Sequence, residues 1–325
     1  MVRQWVGARL GSASFALAPA SADASFRRYF RVTLEERSWI VMDAPPDRED
    51  CRPYVHVASL MREAGLHVPE IIAQDLERGL LLLSDLGTTT YLQALTNDNA
   101  DRLFAEAVDA LIVWQRATRL DTLPHYDAAL LQREIDLFPD WYLARHLGWT
   151  LDAEERHLLA QSREMLVASA LAQPRVYVHR DYMPRNLMVS APNPGILDFQ
   201  DAVLGPITYD LVSLFRDAFV SWDEAQVLDW TVRYWEKARG AGLPVARDFA
   251  DFYRDFEWMG LQRHLKVLGI FARICYRDGK PRYLEDTPRF LRYARSVCER
   301  YPELLPLNAL LDRIERRPAA TQYTF

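Results

Sequence analysis

Three side chains able to do chemistry stand at a telling spacing: Asp181, Asn186 five residues on, and Asp198 twelve beyond that. The first two lie within His179-Arg180-Asp181-Tyr182-Met183-Pro184-Arg185-Asn186, and Phe199 follows the third. Phosphoryl transfer from a nucleotide needs a carboxylate facing an acceptor hydroxyl. It also needs an amide and a second carboxylate that hold magnesium against the phosphates. Asp181 is therefore the candidate catalytic base, with Asn186 and Asp198 the candidate metal ligands. Hard oxygen donors suit magnesium, which keeps some waters and bridges phosphate oxygens. His179 and Arg180 read as braces of the loop. The competing reading is polar residues in ordinary turns; the fixed spacing, with Asp-Phe downstream, argues against it.

These groups must be positioned by the elements around them. Alternation and turn signals make the first 88 residues β-rich. A weak strand is expected at 15–18. Strands at 27–34 and 38–42 flank the polar turn 35–37, and strands at 70–74 and 80–83 flank 75–79. Between the hairpins, apolar spacing over 49–64 predicts a helix that stops at Gly65. After Gly87 the pattern becomes helical, over 98–118, 127–146, 152–171, 209–219, 223–240, 248–275 and 284–299. Short strands at 176–179, 187–190 and 195–197 carry the chemistry. The expected class is α+β, with a small β-rich N-lobe over 1–88 and a larger, mostly helical C-lobe over 89–325. A nucleotide would sit beside the boundary near 84–90.

Composition narrows the partners. Half of the 325 residues are hydrophobic and the net charge is −6, an ordinary globular balance that argues against a general nucleic-acid binder. Three scattered cysteines, Cys51, Cys275 and Cys298, form neither a disulfide framework nor a zinc pattern, so a reducing cytoplasm is expected. No apolar run approaches the roughly 20 residues of a membrane span. Arg3 and Arg9 before the small-residue stretch 13–22 mimic a signal peptide, but Pro19 interrupts it and cleavage there would remove the expected first strand. A monomer acting on a small molecule is the expectation, without nucleic acid or membrane.

The chain resembles the aminoglycoside phosphotransferase and choline kinase group of protein-kinase-like enzymes. Beside the loop 179–186, the residues that carry this are Asp23-Ala24-Ser25-Phe26-Arg27-Arg28-Tyr29-Phe30-Arg31, Met42-Asp43-Ala44-Pro45-Pro46, Leu83-Ser84-Asp85-Leu86-Gly87, Asp198-Phe199-Gln200-Asp201-Ala202, Gly205-Pro206-Ile207-Thr208-Tyr209-Asp210-Leu211 and Gln262-Arg263-His264-Leu265-Lys266. Within the group it is most similar to the sugar kinases of cell-wall recycling, which phosphorylate the anomeric hydroxyl of N-acetylmuramate and N-acetylglucosamine. The resemblance implies a two-lobed kinase-like fold and use of ATP with Mg2+. It also implies Asp181 as base, Asn186 and Asp198 on the metal, and Asp210 as a buried acid bracing the catalytic loop. Ser84, Asp85 and Leu86 are candidates for nucleotide contact. An antibiotic kinase, and a nucleotide-binding pseudokinase without turnover, remain as alternatives.

Two departures stand out. The hairpin that should cover the nucleotide, 21–26, has no glycine, although the Ser25 hydroxyl could donate to a phosphate. The third strand, Ser38-Trp39-Ile40-Val41-Met42-Asp43, has Met42 where protein kinases place a phosphate-contacting lysine. No lysine precedes Lys237. Arg27, Arg28 and Arg31 offer replacements, and alternation sends Arg28 to one face and the other two to the opposite one; Arg28 is the nominated phosphate contact.

For the acceptor, the segment 260–282 carries Arg263, Lys266, Arg273, Arg277, Lys280 and Arg282 against one acid, Asp278. Gln262, Lys266, Arg273 and Arg277 share a helix face, with Leu261, Leu265, Leu268 and Ala272 available to the core. A polycationic antibiotic would want acids here, whereas a carboxylated sugar fits. A solvated basic face is the competing reading. Gln262, Arg263 and Lys266 are the acceptor candidates, with Tyr182 and Arg185 from the catalytic loop. Trp258 could stack on a sugar ring, though a core tryptophan is the safer reading.

Overall fold

A computed structural model describes residues 1–21 and 26–316. The chain begins with α1 (Val2–Leu10), β1 (Ala16–Ser21), β2 (Arg28–Leu34), β3 (Arg37–Asp43), α2 (Arg52–Glu63), β4 (Ile71–Asp75), β5 (Leu80–Ser84), α3 (Tyr91–Ala94) and α4 (Ala100–Arg116). It continues through α5 (Ala128–Ile135), a π-helix (Phe138–His146), α6 (Ala153–Ala172), β6 (Arg175–Val178), β7 (Leu187–Met188), β8 (Gly195–Ile196) and β9 (Val203–Pro206). The rest is helical: α7 (Tyr209–Phe215), α8 (Glu224–Gly240), α9 (Phe249–Asp278), α10 (Thr287–Arg300) and α11 (Leu305–Arg316). Contacts gather these into two compact units, residues 1–117 with 179–202, and residues 118–178 with 203 onward.

In the first unit, β1 to β5 form an antiparallel sheet in the order β1-β2-β3-β5-β4. Successive side chains of a strand point to opposite faces. One face carries Phe30, Val32, Leu34, Val41, Leu80 and Leu82 and packs on Trp5 and Val6 of α1. The other presents Tyr29, Arg31, Ile40 and Leu83 to a cavity. Both expected hairpins are present. The helix α2 buries Tyr54, Val57, Ala58, Leu60 and Met61, spaced to one stripe, and ends before Gly65. Gly65 has φ 85°, and the N–H groups of Gly65 and Leu66 close back on the carbonyls of Arg62 and Met61. The first helix, α1, is absent from the sequence expectation. Only Trp5 and Val6 of its nine residues are buried, too few to show a helical period.

In the second unit, β6 pairs antiparallel with β9. The chain therefore leaves that unit at residue 178 and re-enters it at 203 on an adjacent strand, with the catalytic segment between. The long helix α9 is its axis, buried on every side over 256–269. A Cβ at Gly269 would lie 2.3 Å from the backbone C and O of Leu137, so only glycine permits that approach. The single helix expected over 127–146 is divided. Regular α5 stops at Ile135, and a π-helix follows in which the Leu147 N–H bonds to the Tyr142 carbonyl. Pro139, without an N–H, cannot continue α-helical bonding there. Side chains of Thr90, Asp127, Asp152 and Asp248 accept N–H groups at their helix starts, each worth about 1 kcal/mol. Both β9 and α11 went unread, the first because four buried residues carry no alternation.

Candidate active site

The catalytic loop is held from within the first unit. The His179 ring is fully buried, with Nε2 donating to the Leu197 carbonyl at 3.0 Å. That leaves Nδ1 to accept the Asp181 N–H at 3.2 Å. Burial drives the His179 pKa down to about 4, so the ring is neutral and keeps this tautomer. Tyr182 is 1% exposed, and its hydroxyl donates to the Ala107 carbonyl of α4 at 2.8 Å. The sequence offered Tyr182 to the acceptor; the structure sets it beneath the loop as an anchor, because its one polar atom is spent on α4.

The metal candidates meet. Asn186 Nδ2 donates to the Asp181 carbonyl at 2.9 Å and lies 3.3 Å from Asp198 Oδ2, while Gln200 holds Asp198 Oδ1 at 2.9 Å. With its amide nitrogen turned inward, the Asn186 oxygen is available to a ligand. Arg180 and Asp198 both adopt positive φ, 75° and 63°. Such strain costs of order 1–3 kcal/mol per residue and persists where surroundings over-determine it. The donor set of one carboxylate and one amide oxygen on a cavity wall fits a hard dication that shares its shell with phosphates. Among the described residues no cluster of three or more His, Cys, Asp or Glu could hold a metal by protein groups alone.

The cavity measures about 300 Å³. Tyr29, Ile40, Pro69, Leu83, Met188 and Leu197 give it apolar walls suited to a flat ring, and Asn186 and Asp198 lie in the same lining. Ser84, Asp85 and Leu86 all line it, with Gly87 and Arg185. Ser84 Oγ accepts the Glu70 N–H at 2.8 Å. Burial opposes the Asp85 charge, but Arg31, the Gly87 N–H and Ser38 outweigh it and hold its pKa below the usual carboxylate range. Leu86 leans on Gly195, where a Cβ would come within 2.9 Å of the Leu86 side chain.

Arg28 is placed differently from its nomination. It lies on the opposite sheet face, 62% exposed, and pairs with Asp43. Arg31 is the arginine in the cavity wall, clamped by two bonds to Asp85, at 2.6 and 3.1 Å, and one to the Gly87 carbonyl at 2.7 Å. Ser25 lies outside the described residues. Tyr29 and Tyr54 were missed as cavity residues; an aromatic on a strand or on a helix stripe carries no signal that separates wall from core.

The three acceptor candidates outside the catalytic loop belong to the second unit. Gln262, Arg263 and Lys266 are all buried, at 0%, 3% and 8% exposure, so the start of the basic stripe is interior and not a solvated face. Lys266 Nζ pairs with Glu134 at 2.8 Å and donates to the Tyr209 hydroxyl at 2.9 Å. The Tyr126 hydroxyl completes the Glu134 carboxylate. Lys266 thus already has a structural task. Neither end of the Gln262 carboxamide, nor Arg263 Nη1, has a hydrogen-bond partner among the described residues. Asp217, fully buried, accepts the Phe219 N–H and feels the Arg263 charge; burial raises its pKa. Trp258 packs edge-on against Tyr301 in the core.

A profile of the phosphotransferase enzyme family matches residues 16–249. A protein of Pseudomonas aeruginosa named N-acetylmuramate/N-acetylglucosamine kinase is 61% identical over 91% of this chain and 87% of its own. A protein of the same name from Neisseria meningitidis is 49% identical over 100% of this chain and 98% of its own. The fold is similar to that of the ADP-bound aminoglycoside phosphotransferase APH(2'')-Ib, with TM-score 0.60 at 12% identity over 90% of this chain and 96% of that one.

Proposed function

Because the chain belongs to the phosphotransferase enzyme family, we propose that it is an ATP- and magnesium-dependent kinase of the anomeric hydroxyl of N-acetylmuramate and N-acetylglucosamine, serving peptidoglycan recycling. The observation that carries this is the meeting of Asn186 and Asp198, one side chain apart, in the wall of an apolar-sided cavity at the end of the Asp181 loop. The names of relatives 49–61% identical supply the acceptor. In this reading residues 1–88 cover the nucleotide and helices after residue 89 recognise the sugar.

Asp181 orients the sugar C1 hydroxyl and takes its proton late in transfer, while the new O–P bond forms in line with the breaking bond to ADP. His179, neutral and fixed by Leu197, holds the Asp181 backbone. Asn186 and Asp198 would hold magnesium. When bound, the ion neutralises charge on the phosphate oxygens. On the sugar side, Gln262 and Arg263 offer buried donors and an acceptor that a hydroxyl, an acetamide or a lactyl carboxylate would satisfy. The three cysteines are free thiols, which suits the cytoplasm, and among the described residues no helix is long and apolar enough to cross a membrane. We take the active species to be the monomer. ADP release measured side by side with N-acetylmuramate, N-acetylglucosamine and kanamycin tests the proposal; turnover confined to kanamycin overturns it.

A further inference from the structure

The first unit contains no lysine, since Lys237, Lys266 and Lys280 are the three in the chain and all lie in the second. A nucleotide's phosphates nonetheless carry several negative charges, and one metal ion leaves part of that charge to a side-chain cation. In protein kinases this is a third-strand lysine, itself held by a glutamate of the following helix.

The sheet register narrows the replacement. Tyr29 stands opposite Met42, and Arg31 opposite Ile40. Tyr29, Arg31 and Ile40 line the cavity, so alternation puts Met42 and Arg27 on that same face. Arg27 immediately precedes β2, and continuing the register past Arg28–Asp43 sets it across from Ala44, two pairs beyond Tyr29–Met42. On this face Arg27 and Arg31 flank Tyr29, the partner of Met42, at equal distance along the strand, and Arg31 is the one in the cavity lining. The Arg27 side chain is 11% exposed and pairs with Glu49, 15% exposed, at 3.0 Å. Glu49 lies three residues ahead of α2, whereas the kinase glutamate is inside the helix, so the bracing acid is supplied from the helix approach here.

Arg27 lies within electrostatic reach of the cavity residue Tyr54. It acts electrostatically on the Tyr54 phenol, which feels Asp198 as well, and on Cys51 at the start of α2. The other arginines of the strand are committed elsewhere. Arg28 is on the far face with Asp43, and Arg31 is held by Asp85 and the Gly87 carbonyl.

We infer that Arg27, braced by Glu49, is the side chain that holds the α- and β-phosphates of the nucleotide, an ion pair transposed from the third strand to the second. This rests on the nucleotide reading given above. Arginine offers a planar fork that binds phosphate oxygens in pairs, so the transposition keeps charge and adds geometry.

Calorimetric titration of the full chain with magnesium-ADP and with adenosine tests this. Arg27→Ala should weaken ADP at least tenfold and leave adenosine unchanged. Arg27→Lys should recover part of the loss, and Glu49→Gln should show a smaller one. Thermal melts confirm that each variant is folded, and Arg27→Lys carries the test if Arg27→Ala is not. Three outcomes overturn the assignment: ADP affinity unchanged in Arg27→Ala, an equal loss for adenosine, or the loss appearing in Arg28→Ala instead. A wild-type chain that binds neither ATP nor ADP overturns the nucleotide reading itself, and is distinguishable from all three.

Discussion

The transfer loop and the middle of α9 are both rich in buried polar groups, yet they differ in how fully those groups are partnered. Around residues 179–200 the groups that position the loop are partnered, His179 with Leu197, Tyr182 with Ala107, Asn186 with the Asp181 carbonyl and Asp198 with Gln200, whose own Oε1 is buried without a hydrogen bond among the described residues. In the middle of α9 the Gln262 carboxamide has no partner at either end among the described residues, and Arg263 Nη1 has none. A satisfied network is rigid and suits chemistry that is the same for every substrate. A buried polar group left unsatisfied costs about 1–3 kcal/mol, which a ligand of matching chemistry can recover. The contrast separates a preorganised transfer site from a recognition site completed by its acceptor.

The largest effect expected of that contrast is at Asp181. Asp181→Ala should lower kcat by roughly 10²–10⁴-fold, the usual contribution of a general base. ADP binding should persist, because Asp181 is not in the cavity lining. Turnover at the wild-type rate would remove the transfer site from this loop.

Lys266 sharpens the comparison, since it shares α9 with Gln262 but is fully engaged by Glu134 and Tyr209. Lys266→Ala should cost about 3–5 kcal/mol of stability by stranding Glu134. Pairing it with Glu134→Leu should restore much of the melting temperature. A raised KM for sugar with an unchanged melting temperature would instead make Lys266 an acceptor ligand.

His179 sets a pH limit on the braced loop. Its folded pKa, about 4, lies below the ordinary 6.5 because burial disfavours the charged ring. The unfolded chain therefore binds the proton first. The stabilising contribution, of order 3 kcal/mol, is present above pH ~6.5 and is lost as the pH falls toward 4. Denaturant melts of His179→Gln across this range should show a flatter acid limb. His264, shifted well down mainly by burial, contributes with the same sign, so the comparison is between variant and parent.

The smallest effect concerns acceptor binding. Gln262→Ala and Arg263→Ala should each raise the KM for amino sugar about tenfold, with the KM for ATP unchanged, on the scale of one buried hydrogen bond. Equal shifts for both substrates would mark a general disturbance.

How much of this could be read from residues depended on whether a signal was local. The spacing of Asp181, Asn186 and Asp198, the hairpin turns and the Gly65 stop are short-range, and the structure carries all of them. What was misplaced depended on the other strand or helix. Whether Arg28 or Arg31 meets the cavity follows from which sheet face α1 covers, and α1 itself has too few buried residues to announce itself. The stripe of Gln262, Arg263 and Lys266 was legible as a pattern. Its burial was not, because that depends on partners distant in sequence, as Glu134 and Tyr209 are for Lys266. The π-helix after α5 had only Pro139 to signal it.

The central claim is that the loop 179–198 transfers a phosphoryl group from ATP to the anomeric hydroxyl of an amino sugar. Phosphorus NMR of a reaction with ATP, magnesium and N-acetylmuramate or N-acetylglucosamine reads this directly. The account predicts ADP together with a sugar phosphate whose phosphorus couples to the anomeric proton, and neither in the Asp181→Ala variant. Phosphate on another sugar hydroxyl, or no sugar phosphate while kanamycin is phosphorylated, would contradict it.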